Sequence, residues 1–164
     1  DLSRPWNRLT VSEAFSLYAS VSLEEALGKG LFDEIVALEI EPHLGQGKPL
    51  FLYDYPIEKA ALARKKSDNP HFAERFELYM FGLELANGFS ELIDAKEQRR
   101  RFEEEERQRR LQGKKPAPLP ERFLAELPVM PEAAGIALGL DRLVMLLTNS
   151  RTIDEVVAFT PEML

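Results

Sequence analysis

Hydrophobic positions change their period along this chain, and the changes mark its elements. Up to residue 47 the pattern is helical: Thr10 or Ser12 can cap a helix over Val11–Ala19, and Ser22 with Glu25 three residues on makes a capping box for the next. Gly28 and Gly30 are expected to break that second helix, and 31–44 follows with an apolar edge at Leu31, Ile35 and Leu38. After a Gly/Pro turn, Leu50–Tyr55 reads as a strand stopped by Pro56, and Lys59–Ala63 as a short helical turn. Arg75–Phe89 is apolar on both faces, as a central covered strand would be, with a bulge or bend expected at Gly82 and Gly88. Asp94 then caps a charged helix to about Leu111, whose few apolar residues suggest a surface helix held by i,i+4 ion pairs. A proline-rich loop over 113–120 and a short helix at Phe123–Leu127 follow. Gly135–Gly139 alternates small and apolar residues like a short buried strand, and beyond it Leu140, Leu143, Val144 and Leu147 share one helical face. Thr148–Pro161 is an exit loop with a short helix around Asp154–Val157. Helices and antiparallel-looking strands in separate blocks predict an α+β fold.

Composition narrows the function classes. With 164 residues and 45% hydrophobic content, one sizeable core and hence one domain is expected. A net charge of −7 argues against a surface built wholly for nucleic acid. There is no cysteine for a disulfide or thiolate metal site, and His43 and His71 match no zinc spacing. His43 suits a favourable charge at a helix C-terminus. No apolar run reaches membrane-spanning length and no secretory signal is seen, so a soluble cytoplasmic protein is expected. A start at Asp1 hints at a piece of something longer.

Two stretches carry candidate chemistry. In Leu83–Leu92, Glu84 and Glu91 sit in an otherwise apolar strand region, where carboxylates are costly unless paired or bound to a cation. Seven residues apart, they would face opposite ways on a regular strand; a bulge at Asn87-Gly88 would bring them to one face. Convergent carboxylates suit Mg²⁺ or the ammonium of an amino substrate. The alternative is that one of them pairs with an arginine such as Arg75. In the second stretch, Gly139 between strand and helix permits close approach of a flat ligand, and Arg142 adds a cation at the helix start. The same glycines could serve packing alone.

Gly-Ile-Ala-Leu-Gly-Leu-Asp-Arg-Leu (135–143) resembles motif 3 of class II aminoacyl-tRNA synthetases, and Leu-Glu-Leu-Ala-Asn-Gly-Phe-Ser-Glu-Leu (83–92) resembles the strand preceding it in the lysine-type branch. The likeness runs from about Leu50 to the end, more loosely before. Within the branch, Gly-Leu-Glu-Leu-Ala-Asn-Gly, Glu-Gln-Arg-Arg-Arg-Phe and Val-Met-Pro-Glu-Ala-Ala-Gly-Ile-Ala-Leu-Gly are similar to the paralogous ligases that modify elongation factor P. This resemblance implies an antiparallel sheet flanked by helices that binds ATP with Mg²⁺ and activates lysine or β-lysine as its adenylate. It also implies transfer to a lysine of elongation factor P, or to tRNA if the chain is a lysyl-tRNA synthetase. A synthetase-like module without catalysis is the reading of another class. By position, Arg142 would lie against the adenine and reach the γ-phosphate, and Gly139 would admit ATP. Glu84 and the Leu85 backbone would contact ATP and its metal. Asn87 and Glu91 would meet the amino substrate, with Glu91 also near Mg²⁺. Ala137 would line the amino-acid pocket, where the synthetases carry Gly and the paralogues Ala.

Motifs 1 and 2 of the family are missing, so the chain resembles the C-terminal part of a catalytic domain, 1–47 mainly helical and 48–164 sheet and helices. Residues 1–164 alone are accordingly expected to be inactive, to bind ATP poorly and to self-associate through an open sheet edge, whereas the full-length protein is expected to be a homodimer.

Overall fold

The computed structural model describes residues 1–160, so the expected loop end at Pro161 lies outside the described residues. The expected α+β class is observed: five strands in the order β1-β2-β3-β4-β5, with helices around them. The strands are β1 (Asn7–Thr10), β2 (Leu50–Pro56), β3 (Phe72–Met80), β4 (Leu83–Ser90) and β5 (Ala134–Leu138). The helices are α1 (Val11–Tyr18), α2 (Leu23–Lys29), α3 (Phe32–Ile35), α4 (Ala95–Leu111), α5 (Glu121–Glu126) and α6 (Leu140–Thr148). β1 runs parallel to β2, Asn7 opposite Leu50 through Thr10 opposite Tyr53. That strand went unread because four residues are too few to show an alternation.

By contacts the chain divides into two compact units, the first comprising 1–55, 75–88 and the residues from 136 on, the second 56–74 and 89–135. In the first unit the helical start is built by capping. Thr10 Oγ1 accepts the Glu13 N–H at 3.1 Å while Glu13 Oε2 accepts the Thr10 N–H at 2.8 Å, a reciprocal box opening α1. α2 passes through Gly28 and stops at Gly30, which takes the left-handed conformation, so only the second glycine breaks it. α3 continues into a π turn (Val36–Ile40) and a 3₁₀ turn (Glu41–His43). Pro42 lies in that last turn, without an N–H to carry an α-helical ladder onward. Phe15 stacks on Phe32 at 5.4 Å, and these with Ile35, Val36, Ile40 and Leu44 pack on Leu52, Tyr55 and Tyr79 to form the main core. His43 stacks on Tyr18 with ring centroids 4.8 Å apart.

Where a bulged strand was expected at Gly82, the structure has a hairpin. Phe81 and Gly82 both take positive φ (54° and 74°), the two-residue turn whose twist matches paired strands. The 44–45 loop braces it: Leu44 and Gly45 carbonyls accept the Gly82 and Phe81 N–H groups at 2.8 and 3.1 Å. Gly45 is required there, since a Cβ would stand 2.5 Å from the Tyr79 carbonyl oxygen.

In the second unit Asp94 caps α4 as expected, accepting from the Lys96 and Glu97 N–H groups. α4 is not free of the body of its unit. Gln98 is buried, and Arg101 donates to the carbonyls of Ala61 and Ala63 at 2.9 and 2.7 Å. Arg99 forms a two-point pair with Glu121 of α5. The turn expected at Lys59–Ala63 starts two residues earlier and is shorter, Ile57–Lys59, because Ala61 adopts positive φ and Ala63 pairs with Glu91 instead.

β5 departs from its expected burial. It is an edge strand exposed at all five residues, and α6 buries none of its own, with Leu140 and Leu147 66% and 73% exposed. Among the described residues no helix is long and apolar enough to cross a membrane.

Candidate functional site

The first unit gathers four of the expected residues at one corner. The first residues of β4 lie beside the start of α6, and the Gly139 N–H donates to the Leu85 carbonyl at 2.8 Å. Gly139 is the N-cap of α6 in an extended conformation, without a capping side chain. The first-turn N–H groups of that helix therefore have no side-chain acceptor at the cap, the arrangement that suits an anion. Arg142 folds back from the same turn. Its Nη1 donates to the Glu84 carbonyl at 2.8 Å and lies 3.5 Å from Glu84 Oε2. Among the described residues no other partner holds this guanidinium, and its side chain is 45% exposed.

Glu84 is therefore paired, but with Arg142 and not with Arg75. Partial burial and the neighbouring Glu77 charge raise its carboxyl above the ordinary range, against the pull of Arg142. A carboxylate held in this balance would gain from a cation. Among the described residues no three acidic or histidine side chains are grouped as a metal cage. The Glu84 carboxylate alone could supply one oxygen to a cation such as Mg²⁺ that takes the rest of its shell from phosphates and water.

Asn87 is the fifth residue of this unit's set. Its Nδ2 donates to Glu77 Oε1 at 2.8 Å, and its Oδ1 is buried without a hydrogen-bond partner among the described residues. An orphaned buried acceptor is costly. It fits an incoming N–H or ammonium donor, as the resemblance implied. Ala137, on β5, is exposed.

Glu91 belongs to the second unit, just past β4, where it bridges Ala63 and its N–H donates to the Ala133 carbonyl at 2.9 Å. Gly135 lies against it: a Cβ there would come within 3.3 Å of Glu91 Oε1.

Glu77 was missed entirely. It sits on β3, 7% exposed, two residues from Arg75 and two from Tyr79. Alternation puts all three on one face of the strand, and that was legible. What was not legible is the arrival of Tyr55 from β2 and Asn87 from β4. Arg75 Nη2 donates to Glu77 at 2.6 Å and Tyr79 Oη at 2.7 Å; the Tyr55 hydroxyl donates as well, and the Arg75 guanidinium lies 4.3 Å over the Tyr55 ring. Burial, then the Glu77 charge, pushes the Tyr55 hydroxyl pKa well up, so this phenol keeps its proton. The Tyr79 hydroxyl also lies 3.0 Å from Glu41 Oε1, and its pKa is likewise raised.

The family model described as tRNA synthetases class II (D, K and N) matches residues 1–163. Among curated proteins, the elongation factor P–(R)-beta-lysine ligase of Proteus mirabilis is 52% identical over 121 residues, covering 73% of this chain and 37% of that protein. Ligases of the same name from Pectobacterium carotovorum and Edwardsiella ictaluri are 48% and 45% identical, covering 75% and 79% of this chain. The chain spans 38% and 40% of those two proteins, well under half of their length.

Proposed function

Because this chain belongs to the class II tRNA synthetases of the D, K and N group, we propose that it forms one side of an ATP-dependent ligase site. The ligase activates lysine or β-lysine and transfers the acyl group to a lysine of elongation factor P. The observation that carries this reading is the corner of Glu84, Leu85, Gly139 and Arg142, an exposed guanidinium and an uncapped helix start held against a carboxylate. The names of the relatives support the choice of acceptor. Lysyl-tRNA synthetase is the second reading, since the matching family includes the lysine type.

In the proposed site a planar face of Arg142 stacks on the adenine while its N–H groups reach the γ-phosphate, which a planar guanidinium does and an ammonium cannot. Gly139 leaves room beside the base. Glu84 would be a ligand of the Mg²⁺ that neutralises the phosphates. Asn87 would take the amino end of the substrate. The substrate carboxylate oxygen then attacks the α-phosphorus and pyrophosphate leaves. In the second step the acceptor amine attacks the acyl carbonyl and AMP leaves. No protein nucleophile is needed; the residues position the reactants and stabilise charge.

Lysine-dependent pyrophosphate exchange in the protein at its full natural length tests this. Arg142→Ala should lower the rate by about 10²-fold or more, as for a lost charge-stabilising donor. An unchanged rate would overturn the assignment. Elongation factor P and tRNA, offered in turn as acceptors, separate the two readings. Ala137→Gly removes one methyl from the proposed pocket wall, worth roughly 1–3 kcal/mol in such a site. It should shift the preference between α- and β-lysine in the same assay, and identical selectivity would remove Ala137 from the site. For the 164 residues alone we expect no tight ATP binding and, through β5 and the bare face of α6, self-association visible by light scattering.

A further inference from the structure

The second unit carries a basic tip on a chain that is acidic as a whole. Residues 107–122 hold six Lys and Arg against a single carboxylate, Glu121, where the full chain has a net charge of −7. The tip is held in shape. Gly113 turns out of α4 at φ 69°, and its N–H and that of Lys114 donate to the Arg110 and Arg109 carbonyls at 2.9 and 3.0 Å, a left-handed close to the helix. The proline-rich segment is then laced back onto α4. Its Ala117 N–H donates to Glu106 Oε2 at 3.0 Å, and Arg109 Nη2 donates to the Lys115 carbonyl at 3.2 Å. Pro116, Pro118 and Pro120 fix φ at every second position. A surface ordered in advance loses little freedom when a partner docks on it.

Not all of its cations are free. Arg107 is taken at two points by Glu104, and Arg110 by Glu106. Lys114, Lys115 and Arg122 are exposed and meet no carboxylate among the described residues. Leu111, at the end of α4, is 70% exposed. A phosphate backbone laid along this arm would run past the Glu103–Glu106 carboxylates and be repelled. A folded protein can set carboxylates on the two lysines and an apolar group on Leu111, so the mixture favours a protein partner over a nucleic acid.

We propose that the end of α4 with its proline-rich segment is the docking surface for the acceptor protein, which meets Lys114 and Lys115 with carboxylates of its own. This rests on the reading above that the acyl group goes to a lysine of elongation factor P. The corner of Glu84, Gly139 and Arg142 serves the small-molecule step, and a lysine amine looks alike on every protein. Contacts away from the reacting atoms therefore have to select the acceptor. Complementary charge does so while speeding encounter.

The test compares the wild-type protein at its full natural length with the double variant Lys114→Glu/Lys115→Glu, two exposed positions whose reversal disturbs no packing. Lysine-dependent pyrophosphate exchange should be unchanged. The KM for elongation factor P in the transfer step should rise about tenfold at low salt, and the gap should narrow as salt is raised, because screening weakens exposed charges. Lys114→Arg/Lys115→Arg keeps the charge and should keep the wild-type KM. An unchanged KM in the reversed variant, or a loss of exchange along with transfer, would overturn the proposal while leaving the ligase reading standing. A wild-type protein that performs exchange but transfers nothing to elongation factor P would sink both. If it charges tRNA instead, and the reversed variant raises the KM for tRNA, the tip is a nucleic-acid contact and the protein-docking proposal is wrong.

Discussion

Glu77 and Glu97 are both carboxylates held by arginine, and they are held in opposite ways. Glu97 lies on α4 and takes Arg100 and Arg101, three and four residues along the same helix, at 2.8 to 2.9 Å. Its partners come with the helix, and helix geometry alone brings them together. Glu77 takes two partners, Arg75 and Tyr79, from its own strand face, each two residues away, and one each from β2 and β4. The surface pair can break and be rehydrated. The buried one leaves charge and hydroxyls stranded when any member is lost. Local pairing supports an element, whereas assembled pairing commits three strands to one arrangement.

The largest expected difference follows from that contrast. In urea unfolding, Glu77→Ala should cost about 3–5 kcal/mol, the penalty of leaving a buried cation and several donors unpaired. Glu97→Ala should cost under about 1 kcal/mol, as for a partly exposed ion pair. Equal losses would break the comparison.

Acid should separate two carboxyls of opposite shift. The Arg100 and Arg101 guanidiniums bring Glu97 down from its ordinary value near 4.5 to about 2. Its pairing therefore stabilises the fold fully above pH ~4.5, and that contribution fades as pH falls toward 2. Glu84 shifts upward, so its protonated form favours the folded state. Its contribution is present below the ordinary carboxylate value and is lost as pH rises through the raised one. Carboxyl titration by NMR should find the two moving apart; a Glu84 titrating below Glu97 would contradict both. The smallest effect sharpens the picture: Arg142→Ala, by removing the one cation that lowers Glu84, should raise its pKa further. No shift would mean the 3.5 Å contact carries little charge interaction in solution.

Much of the fold was legible because its signals are local. The Asp94 cap, the α4 span, the switch from strand to helix at Gly139 and the apolar run of β2 all depend on residues within a few positions. The candidate corner was legible for the same reason, each half being a short stretch that resembles a known motif. The misreadings are of another kind. At Gly82 the sequence predicts a bulge or a bend, because glycine signals a departure from regular strand without saying which; Leu44 and Gly45 bracing the turn decide for a hairpin. β5 was taken as buried because small and apolar alternation describes a strand, not what covers it.

What the sequence determined by itself was the class of fold and, through its motifs, the family; the residues proposed to meet ATP and an amino substrate come from the same stretches. All of these rest on spacing and side-chain chemistry along the chain. Only the tertiary structure decided which carboxylate is buried, that Arg142 answers Glu84, and that the buried Asn87 oxygen has no partner among the described residues. A hydrogen bond between strands is a relation between positions 10 to 60 residues apart, and no local period encodes the partner. Glu77 reads in sequence as one polar residue among Phe76, Leu78 and Tyr79; it becomes the centre of a network when Tyr55 and Asn87 arrive from either side.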